Sequence, residues 1–140
     1  MTKELIHRFI DSQELAVLSS ISDGKPQSAL VGIAVTPGFE IVFDTVRSSR
    51  KYRNLIDNPA VSFVIGCAGV VTVQFEGTAR ELSGSELETY RAIYFAKWPE
   101  GPERLNWPGI TYVAVKPHWI RYSDFGAQPS VIEELVFSVK

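Results

Sequence analysis

The sequence predicts a mainly β protein, a small antiparallel barrel of about six or seven strands with flanking short helices. Three observations carry this expectation. Apolar, β-rich runs follow one another from Leu15 onward, tight-turn sequences such as "DGKP" and "TPG" separate them, and helical spacing is confined to isolated segments. Short turns favour antiparallel neighbours, because parallel strands need long crossovers. A two-sheet sandwich is the competing layout. With 140 residues the chain has the size of one domain, residues 1–140, long enough to bury a core and too short for two.

Each element has a local reason. Leu5, Ile6, Phe9 and Ile10 share one helical face, which predicts a helix over residues 2–12 that caps the sheet. "LAVLSSIS", "QSALVGIAV" and "FEIVFDT" then form a three-strand meander, followed by a basic segment. In that segment Leu55 and Ile56 give an apolar edge and Asn58-Pro59 a stop, so residues 50–57 make about two helical turns with Ser48 or Ser49 as N-cap. "AVSFVIG" is a short strand. "VVTVQFEGTAREL" is a long one, in which Val71, Val73 and Phe75 alternate with Thr72, Gln74 and Glu76 to give one dry and one polar face.

Ser85 and Glu88 have capping-box spacing, and Leu87, Tyr90, Tyr94 and Phe95 continue a helical face to about Trp98. "KWPEGPERLNWPG" is a proline-rich loop carrying Trp98 and Trp107, and long loops often serve as binding lids or contacts. "ITYVAVKP" and "WIRYSD" read as final strands, and Ser130 with Glu133 repeats the capping-box spacing for one short helical piece.

Bulk composition narrows the function. There are 14 basic and 16 acidic side chains, a net charge of -2, which disfavours a general nucleic-acid binder. The single cysteine, Cys67, excludes a disulfide framework, and the N-terminus has no apolar signal core, so a cytoplasmic location is expected. Two histidines and one cysteine, scattered along the chain, do not make a metal site. The serines lie in no nucleophile elbow, so hydrolysis has no support.

The informative stretch is "DTVRSSRKYRNLIDNP", which sets Arg47, Arg50, Lys51 and Arg53 within seven residues. Backbone N–H groups at a helix start, a serine hydroxyl and two cations converge there, an arrangement suited to a phosphate. The plainer alternative is a solvated basic helix face, supported by an i,i+4 pair of Arg53 with Asp57. Charge alone leaves both open.

The order of residues adds more. Thr45, Ser49, Arg50, Lys51, Asn54, Leu55, Asn58 and Pro59, set among "LAVLSSISDGKPQSALVGI" and "VQFEGTAREL", resemble the central signature of the pyridoxamine 5′-phosphate oxidase-like FMN-binding split barrels. The resemblance covers Ala16 to Leu82, about half the chain. It implies FMN as cofactor, with Arg50 and Lys51 gripping its phosphate, Ser49 and Thr45 as donors, and Arg47 as an outer contact. It also implies that the strand from Ser28 to Ile33, including Leu30, Val31 and Gly32, runs along the isoalloxazine, and that Thr72 or Gln74 reaches the flavin. A homodimer with the flavin at the subunit interface is implied too, with Trp98, Trp107, Trp119 and Arg121 as contacts supplied by the partner subunit.

Two departures distinguish this chain from members that oxidise pyridoxamine phosphate. Those carry basic residues where Ser28 and Ile33 stand, and an Arg-x-His pair where "PHWIRYSD" offers His118 and Arg121 in another order. The expected function is an FMN-dependent oxidoreductase related to pyridoxamine 5′-phosphate oxidase, and the two departures count against vitamin B6 oxidation. The alternatives are a non-catalytic flavin carrier, sensor or stress protein, and a deazaflavin-dependent reductase on the same fold.

Overall fold

Alternation decides which face of each strand meets the core. In β6 (Val71–Glu81) Val73, Phe75, Gly77 and Ala79 are buried while Gln74 and Glu76 are exposed, the two-residue period expected of a sheet that is dry on one side. The computed structural model describes residues 2–138. Besides β6 its strands are β1 (Leu15–Ser22), β2 (Lys25–Gly32), β3 (Ala34–Val35), β4 (Ile41–Val46), β5 (Ala60–Ile65), β7 (Ile110–Asp124) and β8 (Val131–Val136). Its helices are α1 (Thr2–Ser12), α2 (Arg50–Asp57) and α3 (Gly84–Lys97), with a 3-10 turn at Gly101–Arg104.

All strand pairs are antiparallel, in the order β2-β1-β5-β6-β7-β4-β3. The length of β7 produces the split. Along one edge its first half pairs with β4, from Ile110 to Val115, and its second half pairs with β8, from Trp119 to Asp124. The sheet curls around Phe43, Phe63, Phe75 and Ile120, all essentially fully buried, and the first three rings meet edge to face at 6.2 and 5.6 Å. Fully burying side chains of this size contributes about 1.5–3 kcal/mol each. Ile6 and Ile10 of α1 reach the same core, so this helix caps the barrel as its periodicity requires. A second cluster, with Val42, Leu82, Tyr94, Tyr112 and Ala114, seats α3 on the opposite face of β4 and β7.

Several local expectations are corrected. The two final strands are one continuous β7, because His118 is accommodated as an extra residue where the β6/β7 register shifts at Glu76/Gly77. Gly77 is needed there: a Cβ would lie 2.2 Å from the Lys116 carbonyl oxygen. The piece after Ser130 is strand β8 and not helix, since pairing with the exposed edge of β7 satisfies more backbone groups than one capped turn. Helix α3 starts at Gly84 with Ser83 at its N-cap and no side-chain cap bond, so the Ser85–Glu88 box does not form. Glu86 binds Arg80 at 2.8 Å, and Arg80 also takes Glu40 at 2.7 Å, tying the helix to the sheet. Ile33 lies between β2 and β3 and is fully buried, which removes it from any ligand-facing strand end.

Gly77→Ala should lower unfolding free energy by about 1–3 kcal/mol in urea denaturation, the usual cost of forced overpacking. Gly69→Ala, with nothing within 4 Å of the added carbon, should change it little.

Candidate functional site

The site is built where β4 hands over to α2. Thr45 near the end of β4 is buried, the chain turns with Ser49 N–H donating to the Val46 carbonyl at 2.9 Å, and Ser49 becomes the N-cap of α2 with extended φ/ψ of -73° and 153°. The Ser49 hydroxyl accepts from Tyr52 N–H at 3.2 Å and lies 2.9 Å from the Thr45 hydroxyl. One of the orphan donors of the first turn is thus satisfied within the chain, and the helix start still presents positive charge.

An eight-residue helix is marginal alone, so packing must hold it. On one flank buried Asn54 donates to Ser20 at 3.0 Å and to Gln27 at 2.9 Å, while Leu55 enters the core. On the other, Tyr52 donates its hydroxyl to Glu81 at 2.8 Å. Glu81 is a hub that also accepts from Arg47 at 2.7 Å and from the Thr111 hydroxyl. Partial burial works against its charge, but the hydrogen bonds from Thr111, Tyr52 and Arg47 outweigh it and hold the carboxyl below its ordinary value. The same bond, together with burial, raises the Tyr52 phenol.

These anchors sort the four basic residues. Arg47 is committed to Glu81 and Arg53 to the Ser48 carbonyl at 2.7 Å. Arg50 donates Nε to neutral Gln27 at 3.1 Å, and neither Arg50 nor Lys51 has a carboxylate partner among the described residues. Arg50 and Lys51 therefore stand beside the cap with their charge unpaired, and Arg53 meets only a neutral carbonyl. The anticipated Arg53–Asp57 pair does not form among the described residues, because the guanidinium turns back to the preceding loop. Lys51 opens into a cleft of about 290 Å³ whose walls are Leu30, Val31 and Gly32 on one side and Trp107 and Ile110 on the other, with Asp44, Thr45, Val46 and Ser49 at its base. A smaller recess with Arg50, Lys51, Gln27, Ser28 and Asn54 adjoins it through Lys51.

The structure thus joins Thr45, Ser49, Arg50, Lys51, Leu30, Val31 and Gly32. Arg47 is at the neighbouring Glu81 cluster. Thr72 and Gln74 sit three strands from β2, in register with Ser123 and Arg121, and do not reach the cleft within one chain. Trp107 lines the cleft of its own chain, and Trp98 is spent internally, donating Nε1 to the Ile33 carbonyl at 2.9 Å and packing against Gly32. Both therefore have roles without a partner subunit. Trp119 is half-buried on β7, and Arg121 lies 3.8 Å from Glu134. Gln27, Asn54, Glu81 and Asp44 complete the site, and only Asn54 carries a sequence signal, as part of the motif. His7 bonds the Thr36 carbonyl, His118 bonds Thr78, and the described residues contain no group of metal-ligating side chains.

Fold and site together define a split-barrel protein in which Arg50 and Lys51, without carboxylate partners among the described residues, flank a strand-to-helix junction. The family profile described as Pyridoxamine 5'-phosphate oxidase matches residues 2–124, and the chain belongs to that family. Solved structures agree on the fold. General Stress Protein 26 from Bacillus anthracis is 26% identical, with a TM-score of 0.76 over 97% of this chain and 98% of that one. A heme binding protein from Mycobacterium smegmatis is 18% identical with a TM-score of 0.79 over 93% of this chain, which spans only 56% of that protein's length. A pyridoxamine 5'-phosphate oxidase-related, FMN binding protein from Nostoc punctiforme is 11% identical with a TM-score of 0.68, covering 95% and 91%. A search of curated proteins finds no match. No helix among the described residues is long and apolar enough to cross a membrane.

Because the folded pKa of Glu81 is lowered, its contribution to stability is complete above the ordinary carboxyl value near 4.5 and is lost as pH falls through the lower folded value. Glu81→Gln should therefore reduce stability at pH 7 and flatten the stability profile below about pH 4.5, measured by urea denaturation across pH.

Proposed function

We propose that this chain is an FMN-binding flavoprotein, an FMN-dependent oxidoreductase whose phosphate grip is the junction of Thr45, Ser49, Arg50 and Lys51. The observation that carries the reading is the pair of cations, Arg50 and Lys51, left without carboxylate partners beside a serine-capped helix start. That donor set fits a phosphate dianion: Arg offers a planar fork, Lys a point charge, and the helix start its N–H groups. The FMN binding named for the Nostoc relative and the family match support the same choice.

The rest of the cleft fits a flavin's apolar body. Leu30, Val31 and Gly32 offer a wall free of charge, and the absence of a side chain at Gly32 leaves room for the Trp98 indole packed against that wall. At about 290 Å³ the cleft is small against usual cofactor sites, so a ring bound here would extend past β2 over its outer face. There Leu30 and Val64 are 64% and 42% exposed, in a row continued in register through Val17, Gln74 and Arg121. We place the interface of a homodimer on this face, which would cover the ring and bring Gln74, Trp119 and Arg121 of a second copy toward it.

When bound, FMN supplies two-electron redox chemistry. The chain's contribution is to neutralise the phosphate, orient the ring and keep water from it. Pyridoxamine phosphate is disfavoured as substrate. Ser28 is neutral, Ile33 is buried in the core, and Arg121 leans on Glu134 on a strand apart from the cleft.

The purified protein should bind FMN, read from quenching of flavin fluorescence and the visible spectrum. Arg50→Ala with Lys51→Ala should weaken FMN at least about a hundredfold, since charge-assisted hydrogen bonds contribute about 1.5–3 kcal/mol each. Arg53→Ala should change it less than about threefold, because Arg53 serves the Ser48 carbonyl. Wild-type protein that stays colourless and does not quench FMN would remove the flavin reading.

A further inference from the structure

Trp107, in the segment between α3 and β7, forms the cleft's outer wall with Ile110 at the start of β7, and that segment is pinned at three points. At its start Trp98 donates to the Ile33 carbonyl at 2.9 Å and fills the space beside Gly32, where a Cβ would come within 2.8 Å of the indole. At its end the Gly109 carbonyl accepts from Arg47 N–H at 2.9 Å, joining the segment to the residue after β4. Both ends are backbone or packing contacts. The middle rests on charge.

Arg104, in the 3-10 turn, donates Nε to Asp44 at 2.7 Å and Nη1 to Glu100 at 3.1 Å. Tyr94 donates its hydroxyl to the other Asp44 oxygen at 3.2 Å. Both members of the Arg104–Asp44 pair are mostly buried, with side chains 19% and 14% exposed, so this is not a solvent-screened surface contact. Burial works against the guanidinium charge, yet the hydrogen bonds to Asp44 and Glu100 prevail and keep it above its ordinary value. The Tyr94 phenol is raised by burial and by the Asp44 charge, which keeps it a donor. Asp44 itself is part of the cleft's base, one residue before Thr45.

From this anchor the chain makes one further turn. Trp107 N–H donates to the Arg104 carbonyl at 3.0 Å, and Ile110 N–H donates to the Trp107 carbonyl at 3.1 Å. Trp107 and Ile110 are the outer wall. Trp107 is 53% exposed, so little packing of its own sets its position. Its place depends on the turn that Arg104 fixes.

We propose that Arg104 is a positioning residue of the cleft: its ion pair with Asp44 holds the turn that sets Trp107 as a planar wall against the flavin ring. This rests on the flavin reading for the identity of the ring, while the coupling from Arg104 to Trp107 does not. The pair acts on the ring and not on the phosphate, which separates it from Arg50 and Lys51. Truncating Arg104 leaves Asp44 mostly buried with Tyr94 as its one remaining side-chain donor, and frees the turn.

Two measurements test it. Titrations of FMN and of riboflavin, followed by fluorescence quenching, should show Arg104→Met and Asp44→Asn each weakening both ligands alike, by about fivefold to tenfold. Trp107→Ala should do the same, and Arg104→Met should add nothing to it. The double variant Arg50→Ala/Lys51→Ala should weaken FMN but not riboflavin. Tighter binding in Asp44→Asn, full additivity with Trp107→Ala, or loss of FMN with riboflavin unchanged would overturn the proposal. If circular dichroism shows Arg104→Met unfolded, Arg104→Lys, which keeps the charge and loses the fork, carries the same comparisons.

The second measurement needs no ligand. With fluorinated tryptophan incorporated, Trp107 is assigned from the signal missing in Trp107→Phe. Arg104→Met should shift or broaden that signal and leave Trp119 in place. An unmoved Trp107 signal overturns the coupling whether or not flavin binds, whereas failure of wild-type protein to bind FMN removes the flavin reading alone.

Discussion

Helix α2 is held from two sides, by Tyr52 reaching Glu81 and by Asn54 reaching Ser20 and Gln27, and the position of the cleft follows from that double anchorage. Eight residues of helix with two basic groups in the first turn would not persist alone, because the dipole and the adjacent cations oppose one another. The barrel supplies the compensation: Leu55 enters the core and the polar side chains of α2 find fixed partners on β1, β2 and β6. Once the helix is seated, Ser49, Arg50 and Lys51 have nowhere to face except the gap beside β2. An unfavourable concentration of positive charge is thereby tolerated in the folded chain.

The use of neutral and acidic partners is selective. Glu81 takes Arg47 and Asp44 takes Arg104, so the carboxylates nearest the cleft are already bound to cations from outside it. Arg50, by contrast, meets a glutamine. A carboxylate at position 27 would neutralise the grip; an amide orients the guanidinium and leaves its charge in place. The site thus keeps a local positive field in a chain of net charge -2. It does so by pairing, and not by an excess of basic residues.

The aromatic side chains divide by role in the same way. Phe43, Phe63 and Phe75 are core. Tyr94 and Trp98 carry polar tips that tie α3 and the following segment to β4 and to the end of β2, which positions the cleft walls relative to its base. Trp107 remains over half exposed, whereas Trp98 at the start of the same loop is largely covered.

Much of this was legible in the sequence because it is local. The two-residue alternation of Val71, Val73 and Phe75 sets the dry face of β6, and a serine before a short amphipathic run ended by Asn58-Pro59 sets α2, since each depends only on backbone period and capping chemistry. What the sequence left undecided is long-range. Capping-box spacing at Ser130 lost to β8, whose backbone found the free edge of β7, and Ile33, just past the end of β2, went fully into the core. Four similar basic residues became two pairs with different duties, because Glu81 lies 34 positions from Arg47 and Gln27 lies 23 from Arg50. The charge and the cap were written along the chain, but which of the four cations would be neutralised was decided only when tertiary folding brought Glu81 within hydrogen-bond reach of Arg47.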